Sequence, residues 1–134
     1  SFIDDGLRKL ILIESTEQEE IEKSFRTIFN AYERLSEEKF EPMMNLVCSY
    51  NDEFGWNVII FLRSKHRPEC FYKNDPDRIL ISPAAIDLGG VVVTPRGEDF
   101  VKIDKLLLQQ IFKEVSLDKK AFSSLAKKVK SEFR

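Results

Sequence analysis

Residues 56–62 constrain the fold more than any other part of this chain. Trp56, Val58, Ile60 and Leu62 alternate with Asn57, Ile59 and Phe61, and successive side chains of a strand point to opposite faces. One face is apolar throughout, and the other carries Ile59 and Phe61. A strand built from these residues has to be covered on both sides. Residues 43–50 read as its antiparallel partner, joined to it through the turn-like Asn51-Asp52-Glu53-Phe54-Gly55. A hairpin whose second face is also covered calls for helices packed against it. The expected fold class is α+β, with a mainly antiparallel sheet and packed helices.

Other apolar segments supply the remaining layers. Leu10-Ile11-Leu12-Ile13 is a short continuous apolar run that suits a further strand covered on both faces. Thr16 and Glu19 have the spacing of a capping box. The helix they would open runs to about Leu35, with Ile21, Phe25, Ile28, Phe29, Tyr32 and Leu35 on one face. Glu17, Glu19, Glu20 and Glu22 then fall near the positive end of the helix dipole, as a solvated first turn rather than a metal site. Farther on, Ser82 is placed to cap a turn over residues 82–87 with Pro83 at its first position, and the β-branched Val91-Val92-Val93-Thr94 reads as a strand. Gly97-Glu98-Asp99 opens a helix around Phe100 and Ile103. A second covers residues 105–115, with Leu107, Leu108 and Ile111 inward, and Ser116-Leu117-Asp118 breaks and caps the chain again. A third covers residues 119–133. Its Phe122, Leu125, Val129 and Phe133 share a face, and Lys127, Lys128, Lys130 and Arg134 lie toward the negative end of its dipole.

The length of 134 residues suits one domain spanning residues 1–134. With 43% hydrophobic residues and 11 Phe there is enough apolar material for one core. The net charge of -2 argues against a nucleic-acid surface. No apolar run approaches the roughly 20 residues of a membrane helix. No leader pattern is visible, and Ser1 suggests that further sequence precedes it. Cys48 lies in a strand-like run and Cys70 in a loop-like one. With His66 they are too few for a zinc site, and they read as structural thiols in a reduced, cytoplasmic compartment. No metal or cofactor is expected.

Residues 63–78 form a long polar loop containing Pro68 and Pro76, and long loops in compact domains are often functional. The cluster Arg63-Ser64-Lys65-His66-Arg67 is its densest part. Arginine offers a planar fork to a phosphate and lysine a point charge, so Arg63, Lys65, His66 and Arg67 are candidate phosphate-binding residues. The other reading is an ordinary solvated loop. Ser82, with the amides that follow it, is a second anion-site candidate or a plain cap. Gly89-Gly90 has no phosphate-loop spacing and reads as a packed backbone crossing. Asp87 reads as a turn or cap group ahead of a general base. Arg96 is expected to pair with Glu98 or Asp99 ahead of contacting a ligand, and Trp56 to lie in a core or an interface ahead of serving as a base-stacking platform.

The block Arg78-Ile79-Leu80-Ile81-Ser82-Pro83-Ala84-Ala85-Ile86-Asp87-Leu88-Gly89-Gly90-Val91-Val92-Val93-Thr94-Pro95-Arg96-Gly97-Glu98-Asp99-Phe100 is too specific for generic packing. It resembles the C-terminal part of the GDP-galactose phosphorylases and of uncharacterised bacterial relatives. Met44-Asn45-Leu46-Val47, followed by Asn57-Val58-Ile59-Ile60-Phe61-Leu62-Arg63, resembles the strand pair of that family. Lys113-Glu114-Val115-Ser116-Leu117-Asp118-Lys119-Lys120-Ala121-Phe122 resembles its closing block, and the likeness covers residues 43–130 in collinear order.

These proteins belong to the galactose-1-phosphate uridylyltransferase branch of the histidine-triad superfamily. The resemblance implies a histidine-triad-like fold and a nucleotidyl or phosphorolytic transfer. In that chemistry a histidine attacks the α-phosphate of a nucleotide-sugar or dinucleotide, and phosphate or a sugar phosphate then takes the nucleotide. The family motif, of the type His-x-His-x-Gln, lies upstream of the matched region. His66 stands between Lys65 and Arg67 with no histidine two positions away, so no residue here receives a catalytic role. The chain is therefore expected to be the C-terminal part of a longer nucleotidyltransferase-like protein and inactive alone. Its expected partners are a nucleotide or nucleotide-sugar bound through the full-length protein, and the N-terminal half or a second copy of itself. The alternative is a non-catalytic, partner-binding or structural domain.

Overall fold

The computed structural model of the protein describes residues 1–36 and 41–133. Its strands are β1 (Phe2–Asp4), β2 (Lys9–Ser15), β3 (Met44–Asn51) and β4 (Gly55–Leu62). Its helices are α1 (Gln18–Leu35), α2 (Ala85–Gly89), α3 (Gly97–Phe100), α4 (Lys105–Val115) and α5 (Lys119–Glu132), with a 3-10 turn at Glu69–Tyr72. The strands form one antiparallel sheet in the order β1-β2-β4-β3. The fold is α+β, as the pattern of residues 56–62 requires.

β4 is central, and both of its faces are covered. Val58, Ile60 and Leu62 join Ile11 and Ile13 of β2 beneath α1 and α5, which contribute Ile28, Ala31, Tyr32, Phe122, Leu125 and Val129. Phe61 belongs to a second cluster with Ile79, Ile81, Leu88 of α2, and Ile111 and Phe112 of α4; Ile59 packs against it. The hairpin turn brings Gly55 against the end of β2. A Cβ on Gly55 would lie 2.6 Å from the carbonyl oxygen of Ser15, and its φ is +79°. Only glycine meets both demands without strain.

The ends of the elements differ from what the sequence suggests. The Thr16–Glu19 capping box is not formed: α1 begins after Glu17, whose N–H donates to the Ser15 hydroxyl, while that hydroxyl donates to Glu20. Ser15 thus ties the approach to the first turn of α1, whose N-cap Glu17 makes no side-chain cap hydrogen bond. Leu35 and Phe133, placed on buried faces by helical periodicity, are exposed at the C-terminal ends of α1 and α5. β1 was not foreseen. Arg134, counted among the basic residues of α5, lies outside the described residues.

The largest correction concerns residues 82–94. α2 starts at Ala85 rather than at Ser82, because the carboxylate of Asp87 reaches back to accept the Ala84 N–H. Val91-Val92-Val93-Thr94 is not a strand: among the described residues nothing pairs with it. The segment is held by Val91 N–H donating to Ile86 and Val93 N–H donating to Asp87, while Val92 packs on the second cluster. Nor is Gly89-Gly90 a crowded crossing. Open space surrounds the Cβ position of Gly90, whose φ of +121° closes α2.

Candidate functional site

Arg63 follows the last residue of β4 and is only 5% exposed. Each N–H of its guanidinium is engaged. Nε donates to Val115 O at 3.2 Å, Nη1 to Pro83 O at 2.6 Å and to Asn45 Oδ1, and Nη2 to Lys65 O and His66 O at 3.1 and 2.9 Å. Its own carbonyl accepts from the Tyr32 hydroxyl at 2.8 Å. Burial lowers the pKa of Arg63 from the ordinary guanidinium value, and the charge of Asp87 opposes that. The sequence offers Arg63 either as a phosphate-binding fork or as part of an ordinary solvated loop. The structure makes it the knot that ties β3, β4, α1, α4 and the approach to α2, with no donor left over.

By holding the carbonyls of Lys65 and His66 inward, Arg63 turns the rest of the loop outward. His66 and Arg67 are exposed. Both line an open depression of about 430 Å³ with Ser82, Tyr72, Asn45 and Ala84. The guanidinium of Arg67 lies 4.2 Å from the centre of the Phe71 ring, a cation–π contact that orients it. A second depression, of about 660 Å³, shares Asn45, Arg63 and His66 and continues onto Phe25, Phe29, Met44 and Leu46. The two meet at His66, one polar and cationic, the other with Phe25, Phe29, Met44 and Leu46 along one side and Glu41 on its lining.

Of the residues singled out in the sequence, His66, Arg67 and Ser82 come together with exposed side chains, and Arg63 lies beneath them. Lys65 does not join them. Its ammonium is 4.0 Å from the carboxylates of Glu69 and Glu114. Asn45 and Tyr72 were missed. Asn45 carried a signal, as a polar side chain on a strand face otherwise apolar through Val47, Ile59 and Phe61. Tyr72 carried none, because only the 3-10 turn brings it to Ser82.

The family model described as GDPGP1-like, C-terminal domain, matches residues 7–134. The chain is a GDPGP1-like C-terminal domain. No curated protein and no solved structure matches it. The family likeness carried by residues 43–130 thus extends through β2 and α1. Within the GDPGP1-like domain, the residues of the block from Arg78 to Phe100 build the wall behind Ser82 and a second polar centre.

That centre is Asp99, fully buried and accepting from Leu80 N–H at 2.9 Å. Arg96 grips it with Nε at 2.8 Å and Nη2 at 2.9 Å, and also donates to Asp75 and to the carbonyl of Arg78. The Arg96 hydrogen bonds hold the Asp99 carboxyl below its ordinary range, and reciprocally raise Arg96. This is the pairing expected of Arg96. It fixes residues 78–80 against α3, and through them the start of the Ser82 segment. The GDPGP1-like domain has, among its described residues, no group of His, Cys, Asp and Glu arranged to hold a metal ion, and no helix long and apolar enough to cross a membrane.

Proposed function

We propose that this domain is the C-terminal part of a longer, histidine-triad-like nucleotide-sugar phosphorylase or nucleotidyltransferase, and that its share of the work is to hold a nucleotide phosphate. The reactive histidine comes from upstream sequence. It attacks the α-phosphorus and displaces the sugar phosphate; inorganic phosphate then attacks the nucleotidyl-histidine and frees the histidine for another turnover. His66, Arg67 and Ser82 bind an oxyanion by hydrogen bonds and charge, and the depression beside His66 with Phe25 and Phe29 along one side is suited to a base. The observation that carries this reading is the convergence of Arg67, His66 and Ser82 on one depression in a GDPGP1-like domain. A reduced, cytoplasmic setting and an acidic surface without nucleic-acid affinity belong to the same reading.

Calorimetric titration of GDP, UDP and sulfate tests it. A charge-assisted hydrogen bond nets about 1.5–3 kcal/mol, so Arg67→Ala should weaken GDP binding roughly tenfold or more, with a further loss in the double variant with Ser82→Ala. Binding should also weaken with salt, since exposed charges are screened over about 8–10 Å. Equal affinity in wild type and the double variant overturns the phosphate site. A second reading, a non-catalytic partner-binding domain, is favoured by the isolation of His66 from any second histidine. A His-x-His-x-Gln motif in the sequence preceding this domain decides for the enzyme.

A further inference from the structure

β3 lies at the edge of the sheet opposite β1, and no strand among the described residues pairs with its outer side. Its residues, Met44-Asn45-Leu46-Val47-Cys48-Ser49-Tyr50-Asn51, include no charge and no proline. Its register with β4 runs unbroken from Met44↔Leu62 to Asn51↔Gly55, so it has no bulge. Sheets ordinarily protect long edges with lysine, proline, a bulge or a cover; β3 has no lysine, proline or bulge, and no strand among the described residues covers its edge.

The hydrogen-bonding phase of the edge can be worked out. Arg63 N–H donates to Met43 O at 2.9 Å, so 43 and 63 form a hydrogen-bonded pair one step beyond the strand. Such pairs alternate along an antiparallel ladder. Asn45, Val47 and Ser49 therefore bond inward to β4, and Leu46, Cys48 and Tyr50 direct N–H and C=O at the open edge. The side chains of these three share one face and are exposed, Leu46 by 43% and Tyr50 by 56%. The arrangement is symmetric about Cys48, with a large apolar side chain two residues to either side.

We propose that β3 pairs antiparallel with β3 of a second copy, about a two-fold axis at Cys48, joining two four-stranded sheets into one. In this register Cys48 faces Cys48, and Leu46 of each copy faces Tyr50 of the other. The outward N–H and C=O groups of one copy then meet those of the other, because residues 46, 48 and 50 pair only among themselves. No like charges are opposed, and aliphatic–aromatic cross-strand pairs are favourable. The self-matching pattern is what points to a second copy rather than to an unrelated strand.

Cys48 supplies the test. Directly opposed residues of a hydrogen-bonded pair have Cα atoms about 5.5 Å apart, inside the disulfide range of roughly 4.4–6.8 Å. Mild oxidation of the chain should give a covalent dimer that Cys70→Ser retains and Cys48→Ser abolishes. Cys70 is a fair control, being half-buried, with a thiol pKa raised by that burial. Light scattering without oxidant should show a dimer at micromolar concentration. Leu46→Lys and Tyr50→Lys, both at exposed positions, should each shift it to monomer with the circular dichroism spectrum unchanged. A wild-type chain that stays monomeric, a dimer that survives both lysine variants, or a cross-link running through Cys70 overturns the pairing.

Discussion

The Nη1 of Arg63 donates to the carbonyl oxygen of Pro83 at 2.6 Å, joining the end of β4 to the segment that leads into α2. The same guanidinium satisfies Val115, Lys65 and His66 carbonyls. Val115 O keeps the Ser64 N–H as a donor, but the buried Pro83 carbonyl and the half-buried Lys65 and His66 carbonyls lose the Arg63 donor, at up to about 1–3 kcal/mol each. Arg63→Ala should therefore destabilise the domain by on the order of 3 kcal/mol or more, read as a lower urea midpoint. Arg63→Lys should recover little of this, since an ammonium cannot span acceptors arranged for a planar fork. Arg67→Ala, at an exposed position, should leave the unfolding free energy within about 0.5 kcal/mol of wild type. That contrast separates the structural arginine from the candidate ligand.

Asp87 holds the two ends of its segment together. One oxygen accepts from Ala84 N–H at 3.0 Å and the other from Val93 N–H at 2.9 Å, and the residue is buried. Asp87→Ala leaves both amides without their partner, at about 1–3 kcal/mol of destabilisation. Hydrogen exchange at Ala84 and Val93 should accelerate more than at Ile60, whose bonds lie within the sheet. Uniform acceleration would mean that Asp87 acts on global stability alone.

The sheet and the long helices were legible because their signals are periodic. The alternation in residues 56–62 and the three-and-four spacing of Ile21, Phe25, Ile28 and Tyr32 both report a buried face, and those faces are buried here. β1 has too few residues for a period to show. Val91–Thr94 misled because β-branching states a preference for extended backbone, whereas a strand also needs a neighbour. Arg63 misled for a related reason: its acceptors come from Asn45, Lys65, His66, Pro83 and Val115, and no local pattern announces that these will meet. At the candidate site, charge density correctly marked His66 and Arg67 as exposed. What it could not show is that a different part of the chain would bring Ser82 and Tyr72 to the same depression.

Gly55 should be intolerant of any side chain. At φ +79°, with the Ser15 oxygen and the Thr16 Cα 2.6 and 2.7 Å from its Cβ position, alanine meets both dihedral strain and a clash with backbone. The strain alone is about 1–2 kcal/mol. Gly55→Ala should cost more than that in chemical denaturation. Gly6→Ala makes the comparison, since Gly6 also has positive φ, +84°, but open space around it. Its cost should be the strain alone. Equal losses at the two positions would mean that the close approach of β4 to the β2–α1 junction yields without penalty.

The Arg96–Asp99 pair should give the domain a measurable acid limb. Arg96 hydrogen bonds hold the Asp99 carboxyl below its ordinary range in the folded protein, whereas in the unfolded chain it titrates near about 3.9. The folded state therefore binds a proton there less readily than the unfolded state. The stabilisation is fully present above about pH 4 and is lost as pH falls through the lower, folded value. Asp99→Asn removes the titrating group and one half of the two-pronged contact with Arg96. Urea midpoints followed from neutral to acidic pH should show wild type well above the variant at neutral pH. The gap should narrow as the solution is taken below about pH 4. A gap that keeps its size across that range would mean that the ionised carboxylate contributes nothing beyond the shape of its side chain.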